Sequence, residues 1–260
     1  MALAQFAREY HTVRRAEGWG SLDGAYYRQL PFQDLTGRFT DIWRIRARSY
    51  HTFLHRVLAP LESLTGRPLN VVDLGAGSGW LAYRLARRGH WVAAVDLLDD
   101  VLDGLGAVRH YATPVRPLLA EFDHLPMPTG HLDLAVFNAS FHYSTDYAKT
   151  LRETLRVLRK QGTLVILDSP MYRDPTSGMR MVQERQARFL AKYGFASDAL
   201  PSEHFLTPAR LDMLAAELGI AWRLHRSGLD WRSSLGRAIG GIRARREPAQ
   251  FPVIVGTCPS

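Results

Sequence analysis

The chain has 260 residues, enough for one large α/β domain and too few for two full ones, and its 46% hydrophobic against 22% charged content excludes a wholly disordered chain. A single cysteine, Cys258, excludes a disulfide framework, a cysteine-rich metal site and a cysteine nucleophile in the core. The 33 basic residues exceed the 25 acidic ones by a margin spread along the chain, and the densest block, Arg232, Arg237, Arg243, Arg245 and Arg246, reads as a solvated face. The N-terminal stretch meets charge at Arg8 and Glu9 before a signal-type apolar core develops, and no run of about 18 apolar residues follows, so a cytoplasmic protein without membrane contact is expected.

Residues 1–65 read as helix and loop rich in aromatic side chains, among them Trp19, Tyr26, Tyr27, Trp43 and Phe53. They are expected to form a lid segment, with a hinge near residues 65–68 and a second unit over 66–260. From residue 69 onward, short β-branched runs alternate with helical ones, the pattern of a parallel α/β sheet. Strands are predicted at 69–75, 91–97, 116–122, 132–138, 163–168, 221–225 and 251–257. A helix is predicted from Trp80 to Arg88, closed by Gly89. Another starts at Asp146, with Leu151, Leu155 and Leu158 on its apolar face, and is expected to stop at Gly162. Residues 169–178 read as a loop and 179–193 as an amphipathic helix that the sheet does not require, so a lid insertion is expected over about 170–205. Thr207, Pro208 and Gly219 are the cap, first turn and stop of a last helix.

The stretch "VVDLGAGSGW" runs from a buried strand into a helix, and its three glycines let backbone amides approach a ligand. A dinucleotide fingerprint requires glycine where Trp80 stands, which argues against NAD. Asp73, aimed into the site from the strand end, is useful against a cation and harmful beside a pyrophosphate. Asp96, at the end of the next strand, is placed to accept ribose hydroxyls. An ammonium, a carboxylate and a ribose together describe S-adenosylmethionine. With "VDLLDD", "AEFDHLPMP", "DLAVFNASFHYS" and "LRVLRKQGTLVILD", the chain resembles the class I S-adenosylmethionine-dependent methyltransferases acting on small molecules. The resemblance implies a Rossmann-like, mostly parallel seven-stranded sheet flanked by helices. It also implies that Asp73, Gly75, Ala76 and Gly77 hold the methionyl end, Asp96 the ribose and Leu97 an adenine face. Glu121, followed by Phe122, takes the position of the acid that meets the adenine amino group, where the family more often has aspartate. Gln161 stands where the family often has glycine.

The crevice at the strand ends places residues 138–146 beside the transferred methyl group, with Asn138 lining the cofactor. His142 is the general-base candidate, with Tyr143 second. Asp168 is expected either to bind substrate or to cap its loop. Tyr26, Tyr27 and Trp43 read as an apolar substrate pocket or as core, and Tyr172 is placed on the substrate side. Arg46 or Arg48 is a candidate for the cofactor carboxylate. No metal is expected. The reading is methyl transfer to an O, N or C nucleophile of a small molecule, perhaps within specialised metabolism, with S-adenosylhomocysteine as product. Two alternatives stand. A nucleic-acid methyltransferase is disfavoured because "NASF" occupies the place of an Asn/Asp-Pro-Pro-Tyr segment. A methyltransferase-fold protein using the cofactor for another reaction, such as cyclisation, remains open. Oligomeric state is not legible.

Overall fold

Side chains alternate along the central strands between two apolar layers: Val71, Val136 and Val165 face one, and Val72, Phe137 and Ile166 the other. The computed structural model describes residues 2–226 and 246–257. Arg232, Arg237, Arg243, Arg245 and Cys258 lie outside the described residues. Arg246 is described and pairs with Glu184. The seven strands are β1 (Asn70–Leu74), β2 (Trp91–Asp96), β3 (Arg116–Leu119), β4 (Leu132–Asn138), β5 (Leu158–Leu167), β6 (Ala221–His225) and β7 (Val253–Thr257). Their order is β3-β2-β1-β4-β5-β7-β6, with β1 to β5 parallel and β7 antiparallel to both neighbours. Chain order reverses between β1 and β4, so the ligand crevice lies beyond the carboxyl ends of these two strands.

The first 65 residues form α1 (Ala2–Glu17), α2 (Gly24–Gln29), α3 (Thr40–Phe53) and α4 (Ala59–Thr65). A π-helical turn over Leu54–Leu58 joins the last two just ahead of Pro60, which has no N–H to give the preceding turn. Tyr27, Trp43 and Phe53 share one buried cluster with Trp80, Leu81 and Leu85 of α5 (Trp80–Ala86) and with the first sheet face. Packing therefore runs unbroken across residues 65–68, which form the turn between α4 and β1. The other face is covered by α6 (Tyr147–Val157) and α8 (Pro208–Leu218), through Leu151, Leu211 and Leu214.

Two boundaries differ from expectation. α6 ends at Val157 rather than near Gly162, because Leu158 leaves the helix to pair with Leu132 of β4 and is buried there. Pairing with the sheet overrides the helical period of the sequence. The helix predicted at 179–193 is α7 (Pro175–Tyr193), starting four residues earlier, where the Asp174 side chain accepts the Thr176 and Ser177 amides and Pro175 fills the first turn. Among the described residues no helix is long and apolar enough to cross a membrane.

Candidate active site

The turn from β1 to α5 brings Gly75, Gly77 and Gly79 into the left-handed region, with φ of 72°, 53° and 72°. Gly75 is also held by space, since a Cβ there would lie 2.3 Å from the Ser140 Cβ. The loop's amides, however, are not the ligand donors expected of them. Gly75 and Ala76 donate to the Val95 carbonyl at 2.8 and 3.0 Å, and Gly77 donates to the Asp96 carboxylate at 2.7 Å. What the loop offers a ligand is its close approach and its carbonyls, which suit a cationic ammonium.

Beyond the loop lies a cavity of about 360 Å³. Asp96, Leu97, Glu121 and Phe122 line it from the ends of β2 and β3, and Tyr143 from the segment after β4. Leu3, Phe6 and Tyr10 of α1 also line it. Asp103 and Asp123 contribute two further carboxylates, but Arg14 and Lys149 respectively pair with these. No basic side chain lines this cavity, so the unpaired Asp96 and Glu121 give it a field that favours a cation.

A smaller polar cavity adjoins the same loop. Tyr26, Tyr27, Trp43, Arg14, Arg46 and Asn138 are on its wall, and Asn138 Oδ1 is buried without a partner. The Arg46 guanidinium lies 4.7 Å from the Trp43 ring centre and makes no ion pair among the described residues. Burial and the nearby Arg14 lower its pKa. The apolar substrate pocket expected of Tyr26, Tyr27 and Trp43 is therefore a polar recess beside the glycine loop. Tyr27 is fully buried, its hydroxyl bonded to Ser21 and Leu102.

Asp73 lines neither cavity. It is fully buried, one carboxylate oxygen accepting the Ala82 amide at 3.1 Å and the other unpartnered, and desolvation pushes its pKa up to about 7. His142 sits in a short 3-10 turn, Phe141–Tyr143, behind Tyr143, with Nδ1 3.2 Å from Ser169 Oγ. Burial, reinforced by His204, Arg185 and Arg46, pushes its pKa down to about 3, so the imidazole is neutral at physiological pH. Asp168 is buried at φ 52°, one oxygen accepting the Ser49 hydroxyl and the other unpartnered. Tyr172, placed on the substrate side by the sequence reading, is a core residue at 1% exposure, packed against Phe205 away from both cavities.

Residues 72–166 match the family model of a methyltransferase domain. An uncharacterized methyltransferase of Mycobacterium tuberculosis is 36% identical over 94 residues, 36% of this chain and 37% of the relative. A malonyl-[acyl-carrier protein] O-methyltransferase of Geobacter sulfurreducens is 32% identical over 115 residues, 42% of each chain. The chain thus spans less than half the length of these curated relatives. Among solved structures, a putative sarcosine dimethylglycine methyltransferase from Galdieria sulphuraria superposes over 97% of this chain and 98% of its own, with a TM-score of 0.54 at 18% identity. An S-adenosylmethionine-dependent methyltransferase from Mesorhizobium loti covers 73% of this chain and 91% of its own, with a TM-score of 0.53 at 18% identity.

The chain belongs to the class I S-adenosylmethionine-dependent methyltransferases.

For a methyltransferase of this class the residues present fit the cofactor. The Gly75 cradle, the Asp96 carboxylate and the orphaned Asn138 oxygen all face the two joined recesses. Sequence reasoning missed the part of the site made by α1. Phe6, Tyr10 and Arg14 recur every four residues and so share one helical stripe, a signal that was there to be read. It also missed Arg185 of α7 and His204, whose approach to Tyr143 depends on the path of a long connection.

Proposed function

We propose that the protein transfers the methyl group of S-adenosylmethionine to an O, N or C nucleophile of a small acceptor. The observation that carries this reading is the cavity beyond the glycine loop: Asp96 and Glu121 stand at one part of its wall, and α1 closes it with Leu3, Phe6 and Tyr10. An enclosed space of this size suits a cofactor and a small partner better than a polymer. Oxygen belongs among the acceptor atoms because some of the relatives are O-methyltransferases.

When bound, the cofactor supplies a methyl group on a sulfonium, which is displaced in line. Asp96 accepts the ribose hydroxyls while remaining fixed by the Gly77 and Leu98 amides. Leu97 and Phe122 flank the adenine, and Glu121 accepts its amino group. Arg46, free of any acid partner, takes the cofactor carboxylate, and Asn138 turns its free oxygen toward the methionyl end. Tyr10 and Tyr143, with ring centres 6.0 Å apart, exclude water from the methyl-transfer region. α1 and α7 serve as the covers of the site. Much of the rate enhancement then comes from alignment, and a neutral His142 acts chiefly in holding the Tyr143 turn.

Parallel calorimetric titration with S-adenosylmethionine, S-adenosylhomocysteine and NAD tests the cofactor reading. Binding of the first two alone is expected, followed by mass gain of one methyl group in an acceptor screen. Binding of NAD in their place would overturn it.

A further inference from the structure

Two guanidinium groups near the strand ends have no acidic partner among the described residues. Arg46 faces the glycine loop, where the cofactor's single carboxylate would use it. Arg185, on α7, is left over. Its Nε is buried without a hydrogen-bond partner, it makes no ion pair, and burial lowers its pKa. An uncompensated buried cation is costly, and it is commonly retained where a ligand supplies the missing charge.

The neighbours of Arg185 point the same way. It stands in electrostatic reach of His142, His204 and Tyr143. Tyr143 lines the main cavity, together with Leu200 and Pro201, and its ring centre lies 6.4 Å from that of His204. His204 is 4% exposed, is held at φ 63°, and leaves Nδ1 buried without a partner. Ser202 ties these segments together by donating to the His142 carbonyl at 2.6 Å and accepting the His204 amide at 3.1 Å. The strained backbone and the two unsatisfied nitrogens belong to one small region behind the cavity wall.

We infer that Arg185, His204 and the His142–Tyr143 turn form an acceptor subsite for a singly charged anion, so that the methyl acceptor is a small carboxylate-bearing molecule. One guanidinium beside two neutral imidazoles offers one positive charge and further donors. That balance matches a carboxylate better than a doubly charged phosphate. The inference rests on the methyl-transfer reading, because it takes the cavity as the place where cofactor and acceptor meet.

The experiment uses the full chain saturated with S-adenosylhomocysteine and three probes, propionate, benzoate and inorganic phosphate, with propionamide as the uncharged control. Binding is read by ligand-observed NMR for the wild type, Arg185→Gln and Arg185→Lys. The carboxylates are expected to bind and propionamide not to. Arg185→Gln should weaken carboxylate binding about tenfold or more, with partial recovery in Arg185→Lys. Affinity for S-adenosylhomocysteine itself, titrated separately, should be unchanged in both variants. Absence of carboxylate binding to the wild type, equal binding in Arg185→Gln, or a preference for phosphate would overturn the subsite. Failure of S-adenosylhomocysteine to bind the wild type would instead overturn the reading beneath it.

Discussion

The Gly77 amide donates to the Asp96 carboxylate at 2.7 Å, which makes the end of β2 and the glycine loop one mechanical unit. Replacing Asp96 by alanine removes a ligand acceptor and frees the loop amide at once. Cofactor affinity should fall by about 1–3 kcal/mol. Calorimetry with S-adenosylhomocysteine reads this directly, and an unaltered dissociation constant would rule out the ribose contact.

Asp73 has the opposite character, a buried carboxyl with one satisfied oxygen. Its pKa in the folded protein, about 7, stands above the ordinary 3.8, so the native state holds the proton more tightly. The sign follows: its contribution to stability is greatest at low pH and is lost as pH rises from about 4 through 7. Asp73→Asn keeps an acceptor for the Ala82 amide and removes the charge. Denaturant melts at pH 8 should show a more stable unliganded protein, by on the order of 1 kcal/mol, that binds cofactor more weakly. A variant destabilised at pH 8 would contradict this account.

His142 titrates in the other direction. Its folded pKa of about 3 lies below the ordinary 6.5, since burial and the neighbouring His204, Arg185 and Arg46 disfavour the imidazolium. Its contribution is fully present above pH 6.5 and is lost as pH falls from there toward 3. Unfolding curves should show His142→Asn losing less stability than the wild type between pH 7 and pH 5. In a turnover assay the acid limb of kcat/KM should contain no inflection near 6.5 that this substitution removes; finding one would restore the general-base role.

Arg14 of α1 pairs with Asp103 through both its Nε and Nη2. Since α1 walls the main cavity, this pair, together with His11–Asp100, holds the cover in place. Arg14→Ala and Asp103→Ala should each speed hydrogen exchange across Ala2–Glu17 and raise the cofactor dissociation constant. A double-mutant cycle should give a coupling of about 1–2 kcal/mol. Additive effects would show that the pair does not fasten the helix.

Gln161 occupies the left-handed region at φ 61°, where glycine carries no steric penalty. Gln161→Gly should stabilise the protein by about 0.5–1 kcal/mol without touching cofactor affinity, as read by the thermal midpoint and a parallel titration. A lower midpoint would mean that the glutamine side chain makes up for its backbone.

Much of the cofactor half of the site was local information. Strand, turn and helix start are contiguous in "VVDLGAGSGW", and a strand end positions its last side chain by its own geometry, so Asp96, Leu97 and Asn138 could be placed from their positions in the chain. The same logic located α8 through Thr207, Pro208 and Gly219. It failed for Asp73, because lining a site and capping a helix call for the same residue at the same place, and only the packing of α5 shows that the Ala82 amide claims one oxygen. It failed for Tyr172 because an aromatic side chain reads alike in a core and in a pocket.

The sequence by itself determined the sheet, the glycine turn and the acid that follows it, because these depend on periodicity and on neighbours a few residues away. Tertiary structure alone decided that α6 yields to β5 at Leu158, that α1 closes the cavity with Phe6 and Tyr10, and that Arg185 meets His204 and Tyr143. Those contacts join segments far apart in the chain, and what selects them is the burial of charge and apolar surface in three dimensions, a quantity that no local pattern encodes.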